Sequence, residues 1–536
     1  MKYLRKLIYC TVLGAVVVSG CNKDSLKNLN INPQAANTID VNFLFTSAQL
    51  GAASGGSRGD NRYIDWRTNI GIASTTIQQL AAIGDISNTG DKYLENVESN
   101  NAPFEFIYTD LRSLGTIIRE TSTGGYAEGQ SNNTKQASRI LRAFLFHRLT
   151  DYYGSIPYSE ALQAEAGTFF PKYDKQKDIY KDLLKELDEA SAAFTAADPG
   201  FSAADLYYSG DVAKWKRWGY SLMLRLAMRL STVEPATTNT YVAKAVAGGV
   251  FQSNADNVIV PMSEGPSLWQ NQNGISRAFY PGDGGNSAFM SKTLIDFLKG
   301  PIAGSTADDD PRLMILTGGI GSWVAAGSSA VWNPTNVDPL QQKGMPNGND
   351  LNMLRAIEGN PTLDINATYS KINTKLLDRA DPYMLMNYGE VKFLLAEAAQ
   401  KGIGGLTAAA APTHYNEGVK ASMQMYTIYD ASLTVSDAQV AAYLAARPYV
   451  PATGLSQIAY QSWVNHFLNW WEAWSEWRRT RLPALVPTNF PGNVTGGKIF
   501  ERLKYPGAEV AGNPNFAATA TTNDWVTKVW WAGGPE

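Results

Sequence analysis

With 536 residues and 44% apolar side chains, the chain has enough material for a large hydrophobic core. Its 46 basic and 49 acidic side chains leave a net charge of −3, so no basic excess is present to neutralise nucleic-acid phosphates. The two cysteines, Cys10 and Cys21, are too few for a disulfide framework or a thiolate metal cluster.

The first predicted element is a signal peptide over 1–20. Lys2, Arg5 and Lys6 precede an uncharged apolar run from Leu7 to Gly20. That run is about 14 residues long, short of the roughly 20 that a spanning helix needs. Its end, Val17-Val18-Ser19-Gly20-Cys21, resembles a lipoprotein lipobox with Val where Leu is usual. This predicts cleavage before Cys21 and acylation of its sulfur and amine, since several acyl chains anchor stably where one is marginal. Residues 21–40 are predicted as a polar tether, because Asn22 to Ser25 and Leu29 to Pro33 have neither helical nor strand period. No linker divides the remainder, so 41–536 is predicted as a single domain.

Helices follow. From Ala137, the apolar residues Ile140, Leu141, Phe144, Leu145, Leu149 and Tyr152 recur at three- and four-residue spacing, with Gly154 as the stop and Pro157 preventing a restart. A second helix is predicted from about Asp178 through Leu183, Leu187 and Phe194, and a third from Val212 to about Ser231. A fourth covers Tyr383 to Gln400 and ends at Gly402, and a fifth starts at Pro412 and runs through Tyr415, Val419 and Met423. Ala396, Ala398 and Ala399 face Gly418 and Ala421 at the predicted crossing of these two, where small side chains allow close approach. A sixth helix, about Gln457 to Arg481, carries Trp463, Phe467, Trp470, Trp474 and Trp477 as one stripe, which reads as core.

Between the helices, 253–290 and 300–382 read as long irregular stretches rich in Gly, Pro, Asn, Asp and Ser. Loops of that length are usually functional or disordered, and the aromatic residues in them argue against disorder. The sequence places Trp66, Trp269, Trp323 and Trp332 in such loops. A flat indole offers its face to the C–H face of a sugar ring, while Asn and Asp bond the hydroxyls. Trp66, Trp269, Asn271, Tyr280, Asp283, Trp323 and Trp332 are therefore the candidate ligand-binding residues. The alternative is that these aromatic rings pin the loops to the helical body.

Several segments together resemble the SusD/RagB family. Arg142 through Leu162 contains its D-x-Y-G-x-x-P-Y-x-E-A pattern, and Ile179 to Ala190, Leu222 to Arg229, Asp310-Pro311-Arg312, Glu390 to Gly402 and Trp474 to Thr480 follow in family order. Arg502 to Pro506, with Glu509 and Asn513, completes the series. The resemblance is strongest to the branch of SusD-like, starch-binding proteins that associate with the outer membrane. It implies an all-α fold with tetratricopeptide-like helix pairs, forming an α-solenoid body with a long-loop ligand-binding face. It further implies a lipid anchor on the outer membrane of a Bacteroidetes bacterium, an oligosaccharide or peptide ligand, and a SusC-like TonB-dependent transporter as partner. Lys23-Asp24 also resembles the surface-export signal of such lipoproteins.

Catalytic motifs are absent from the sequence. Its three histidines, His147, His414 and His466, are far apart, and there is no Gly-x-Ser-x-Gly elbow or phosphate loop. The expectation is a binding protein without cofactor or metal. A lipid-anchored glycoside hydrolase is the first alternative, because carboxylate pairs arise from distant segments. A structural protein of the cell surface is the second. Asp308-Asp309-Asp310 offers hard oxygen ligands to calcium, or Asp310 caps a helix that Pro311 begins.

Overall fold

The computed structural model describes residues 38–53, 62–84, 89–196, 199–265, 271–279, 288–326, 329–519 and 523–536. The chain divides into two units, Met1–Asp40 and Val41–Glu536. Cys21 lies outside the described residues, and all the helices and strands named below belong to the second unit.

The main helices are α1 (Val41–Ala52), α2 (Ile64–Ser74, wound as a π-helix), α3 (Val97–Glu120), α4 (Asn132–Tyr153), α5 (Gln176–Ala192), α6 (Val212–Arg229) and α7 (Pro235–Gly248). They continue as α8 (Lys292–Leu298), α9 (Arg312–Leu316), α10 (Tyr388–Lys401), α11 (Ala411–Gln424), α12 (Asp437–Ala446), α13 (Gly454–Asn465) and α14 (Trp470–Thr480). Consecutive helices pack as the pairs α4–α5, α6–α7, α10–α11 and α13–α14, which is the mainly helical, paired architecture expected. Among the described residues, no helix is long and apolar enough to cross a membrane.

Local chemistry explains several boundaries. Helix α4 ends at Gly154, whose φ of +85° suits a residue without Cβ. Helix α6 starts at Asp211, whose side chain accepts from the Lys214 N–H, and α11 has Pro412 in its first turn. In the α10–α11 pair, a Cβ at Gly418 would sit 2.8 Å from the Phe393 ring, so the small residues do permit close approach.

Three expectations are corrected. The fourth helix begins later than its apolar pattern suggests. Tyr383–Met386 is a strand paired antiparallel with Val258–Val260, and Asn387 then caps α10 through the Glu390 N–H. The aromatic stripe is not one helix, because α13 stops at Asn465 and α14 starts at Trp470. Leu468 takes a φ of +75° in the break. There the Asn69 side chain donates to the Leu468 carbonyl (3.0 Å) and accepts from the Trp471 N–H (2.9 Å), so a distant residue stitches the interruption. Helices α1, α2, α3, α7, α8 and α12 were not anticipated, although α3 carries Phe104, Ile107, Leu111, Leu114 and Ile117 as a buried stripe that local spacing could have shown.

The third correction concerns the stretches read as irregular. Within them, β2 (Ala288–Met290) pairs with β1 (Leu80–Ala82) from earlier in the chain, and β3 (Ile320–Ala326) forms a hairpin with β4 (Ser329–Asn336). A small second core of Ala81, Phe289, Met345, Leu354, Leu363 and Tyr369 lies among these elements, beside the main helical core.

Candidate functional site

The titratable groups most suggestive of chemistry are enclosed. Glu390, His466 and Glu472 place ligand-type atoms within 4.8 Å of one another, and all three are buried. Two guanidinium groups already occupy this cluster. Arg225 donates to both oxygens of Glu390 (2.5 and 2.7 Å), while Arg229 binds Glu472, reaches Glu476 at 2.6 Å and lies 3.4 Å from Asp151. Arg479 extends the network by a two-point contact with Glu397 (2.7 and 2.5 Å) and one with Glu476 (2.7 Å). Burial alone would raise the Glu390 carboxyl, but Arg225 and His466 outweigh it and hold it at about 2. Burial likewise opposes the His466 charge, and Glu390 overcomes this and raises its pKa. His147, buried near Arg225 and Arg229, is pushed well below its ordinary value, first by burial and then by those charges. The cluster is therefore a buried ion network of opposed charges, and it joins α4, α6, α10 and α14.

The three consecutive aspartates do not converge on one point. Asp310 accepts from the Arg312 N–H (2.9 Å) and clamps the Arg312 guanidinium (3.0 and 2.7 Å), which combines a capping contact with a buried ion pair. Asp309 accepts from the Gly300 N–H (2.7 Å), and Asp308 from that of Ile302 (3.3 Å).

The stripe residues Trp463, Phe467, Trp470, Trp474 and Trp477 are all buried, as the core reading requires. Trp474 donates to the Phe500 carbonyl (2.9 Å) and Trp477 to that of Pro483 (3.2 Å), which satisfies indole N–H groups far from water.

The candidate ligand residues occupy different settings. Trp323 and Trp332 are not in loops but are directly opposed across the β3–β4 ladder. The low-contrast run of Gly, Ser and Ala around them hid the alternation from the sequence. Their rings meet edge to face, with centroids 5.5 Å apart at 67°. Trp332 is 7% exposed and donates to the Gly318 carbonyl (3.2 Å), whereas Trp323 stays half-buried. Beneath them lies the Lys371 ammonium, 3.7 Å from the centroid of Phe289 and 5.6 and 5.8 Å from those of Trp323 and Trp332. Such cation–π contacts are worth about 0.5–2 kcal/mol and fasten the hairpin to the second core. Burial lowers the Lys371 pKa to about 7.

Trp66 sits on helix α2 rather than in a loop. Its ring stacks on Tyr63 (5.5 Å, 26°), and Tyr63 in turn lies under the guanidinium groups of Arg62 (4.2 Å) and Arg67 (4.0 Å). The alternation of aromatic and arginine residues in Arg62-Tyr63-Ile64-Asp65-Trp66-Arg67 is the signal that could have drawn Tyr63 into the candidate set. Asn271 has a φ of +61°, and its carbonyl accepts from the Ser263 N–H (2.7 Å). Trp269, Tyr280 and Asp283 lie outside the described residues. Of the candidates, then, Trp323 and Trp332 are brought into contact, while Trp66 and Asn271 are held by other neighbours.

A family model described as "Starch-binding associating with outer membrane" matches residues 33–506. Among solved structures, a chitin-binding protein is 31% identical, with 92% of this chain and 100% of that chain covered at a TM-score of 0.75. A SusD-like protein described as Bacteroidetes AC2a is 26% identical, with the same coverage and TM-score. A chitin-binding SusD homolog from Flavobacterium johnsoniae is 22% identical, covered over 92% of this chain and 98% of its own, with a TM-score of 0.68, a likeness of fold alone. No curated protein matches the chain significantly.

Proposed function

This chain belongs to the SusD/RagB family, and from that premise we propose that it is a cell-surface lipoprotein that captures an oligosaccharide and passes it to a SusC-like TonB-dependent transporter. The observation that carries the reading is the match along nearly the whole chain to a chitin-binding protein. Cys21 is the lipid attachment point in this reading, and the protein does no chemistry on its ligand. The half-buried Trp323, backed by Trp332, supplies a ring face for a sugar. Trp66, Trp269, Asn271, Tyr280 and Asp283 are the further contacts proposed for the same ligand.

Titration calorimetry with N-acetylglucosamine oligomers and with maltooligosaccharides tests the binding role. Affinity for one of the two series is expected, with loss of about 1–3 kcal/mol in Trp323→Ala, taking base–aromatic stacking as a guide. Absence of binding to either series removes the glycan assignment. The anchor is tested by Cys21→Ala, which should move the protein from washed membranes to the soluble fraction. The partner is tested by affinity purification of the native protein from detergent extracts, where a TonB-dependent barrel should accompany it.

A further inference from the structure

Residues of α8, α11, α12 and α13 line an open cleft of about 270 Å³, separate from the hairpin and from α2. Phe297 and Tyr460 stand at it with their rings stacked, centroids 5.3 Å apart at 24°, and both are half-buried. Tyr415 also lines it. This tyrosine is only 2% exposed as a residue, and its hydroxyl, which has no hydrogen bond to the described residues, is not sealed from the cleft. A hydroxyl that faces the cleft without a partner among the described residues is free to bond a polar group that enters from outside. The hydroxyls of Ser456 and Tyr460 line the same wall, and neither bonds any of the described residues.

Arg447 completes the lining. One of its terminal nitrogens donates to the carbonyls of Asp308 (2.8 Å) and Lys299 (3.4 Å), and its guanidinium lies 5.2 Å from the Tyr443 ring centroid. These contacts fix its orientation and leave its other donors unused among the described residues. No carboxylate of the described residues pairs with it. The cavity thus combines a ring face, fixed cationic donors and three unpartnered hydroxyls. Its volume lies just below the usual range for small-molecule sites, which suits one ring and not a chain.

We propose that this cavity is a second carbohydrate site that takes a single pyranose ring. The sugar's C–H face stacks on Tyr460, and its hydroxyl groups bond Arg447, Tyr415 and Ser456. The inference rests on the glycan-binding reading and places a separate monosaccharide-sized site on the helical body, away from the tryptophan hairpin.

The test is ligand-observed NMR and calorimetry with N-acetylglucosamine and glucose on the full-length protein and on Tyr460→Ala, Arg447→Gln and Trp323→Ala variants. Monosaccharide binding should fall at least tenfold in Tyr460→Ala and in Arg447→Gln and persist in Trp323→Ala. Thermal melting identifies any variant that fails to fold, and Ser456→Ala, a milder change, should then still weaken binding. If the protein binds oligosaccharide but the Tyr460, Arg447 and Ser456 variants leave all saccharide binding unchanged, the second site is overturned and the proposed function stands. If neither monosaccharide binds the unaltered protein, the second site is likewise overturned. Loss of monosaccharide binding in Trp323→Ala alone assigns the sugar to the hairpin and overturns it too.

Discussion

Helix α14 and the β3–β4 hairpin both present tryptophans on one face, and the two regions treat them differently. In α14, Trp470 and Trp474 are enclosed on every side, and charged groups packed against the same helix are neutralised internally by Arg225, Arg229 and Arg479. In the hairpin, a two-stranded ribbon, Trp332 is covered while Trp323 is only half-buried. A helix within a bundle can bury its whole apolar stripe. A ribbon at the edge of the body leaves surface available for a ligand. The same residue type is therefore enclosed in one region and left partly at the surface in the other, where the proposed function uses it.

The largest expected effect is in the helical region. Arg229→Ala would leave Glu472, Glu476 and Asp151 buried without their shared cation, at a cost of about 3–5 kcal/mol in urea unfolding. Trp474→Ala should cost a similar 3–5 kcal/mol, from lost burial and the orphaned Phe500 carbonyl. If either variant melts as the unaltered protein does, the helix is not the stabilising partner in the comparison.

Acid sharpens the same point. Against burial, Arg479 and Lys401 hold the Glu397 carboxyl at about 2 in the folded protein, below its ordinary 4.5. Between those values the unfolded chain binds more protons, so the stabilisation is complete above about pH 4.5 and is lost as pH falls toward 2. Linkage gives about 3 kcal/mol for this one group. Urea midpoints measured from pH 6 down to 2.5 should fall steeply, and Glu397→Gln should flatten that slope.

The hairpin variants come last. Trp332→Ala should cost about 2 kcal/mol of stability, and Trp323→Ala less than about 1 kcal/mol, as befits a half-buried member of a cross-strand pair. A larger stability loss in Trp323→Ala than in Trp332→Ala would reverse the roles assigned to the two rings.

Part of the candidate site was legible. Trp323 and Trp332 stood out as large rings in polar surroundings, and they do share a face. Their pairing was not legible, because Gly321, Ser322, Ala325 and Ala326 give the strand no alternation of apolar and polar residues. Phe297, Tyr415 and Tyr460 were equally hidden as a group. Each reads as an ordinary helical aromatic residue, and only the meeting of α8, α11 and α13 places them around one cavity.

The sequence by itself determined the helices whose apolar residues repeat every three or four positions, the caps at Gly154 and Gly402, and the burial of the Trp463-to-Trp477 stripe. All of these depend on neighbours within a few turns, so local spacing is sufficient. Tertiary structure alone decided where the stripe breaks, since the cap comes from Asn69, 402 residues from Trp471. It also decided what Arg225 and Arg229 do. They stand in an otherwise apolar run, and they are accommodated in the core because Glu390 and Glu472 arrive from segments 165 and 243 residues away. A buried charge is tolerable only opposite its counter-charge, and that juxtaposition is a property of the folded chain.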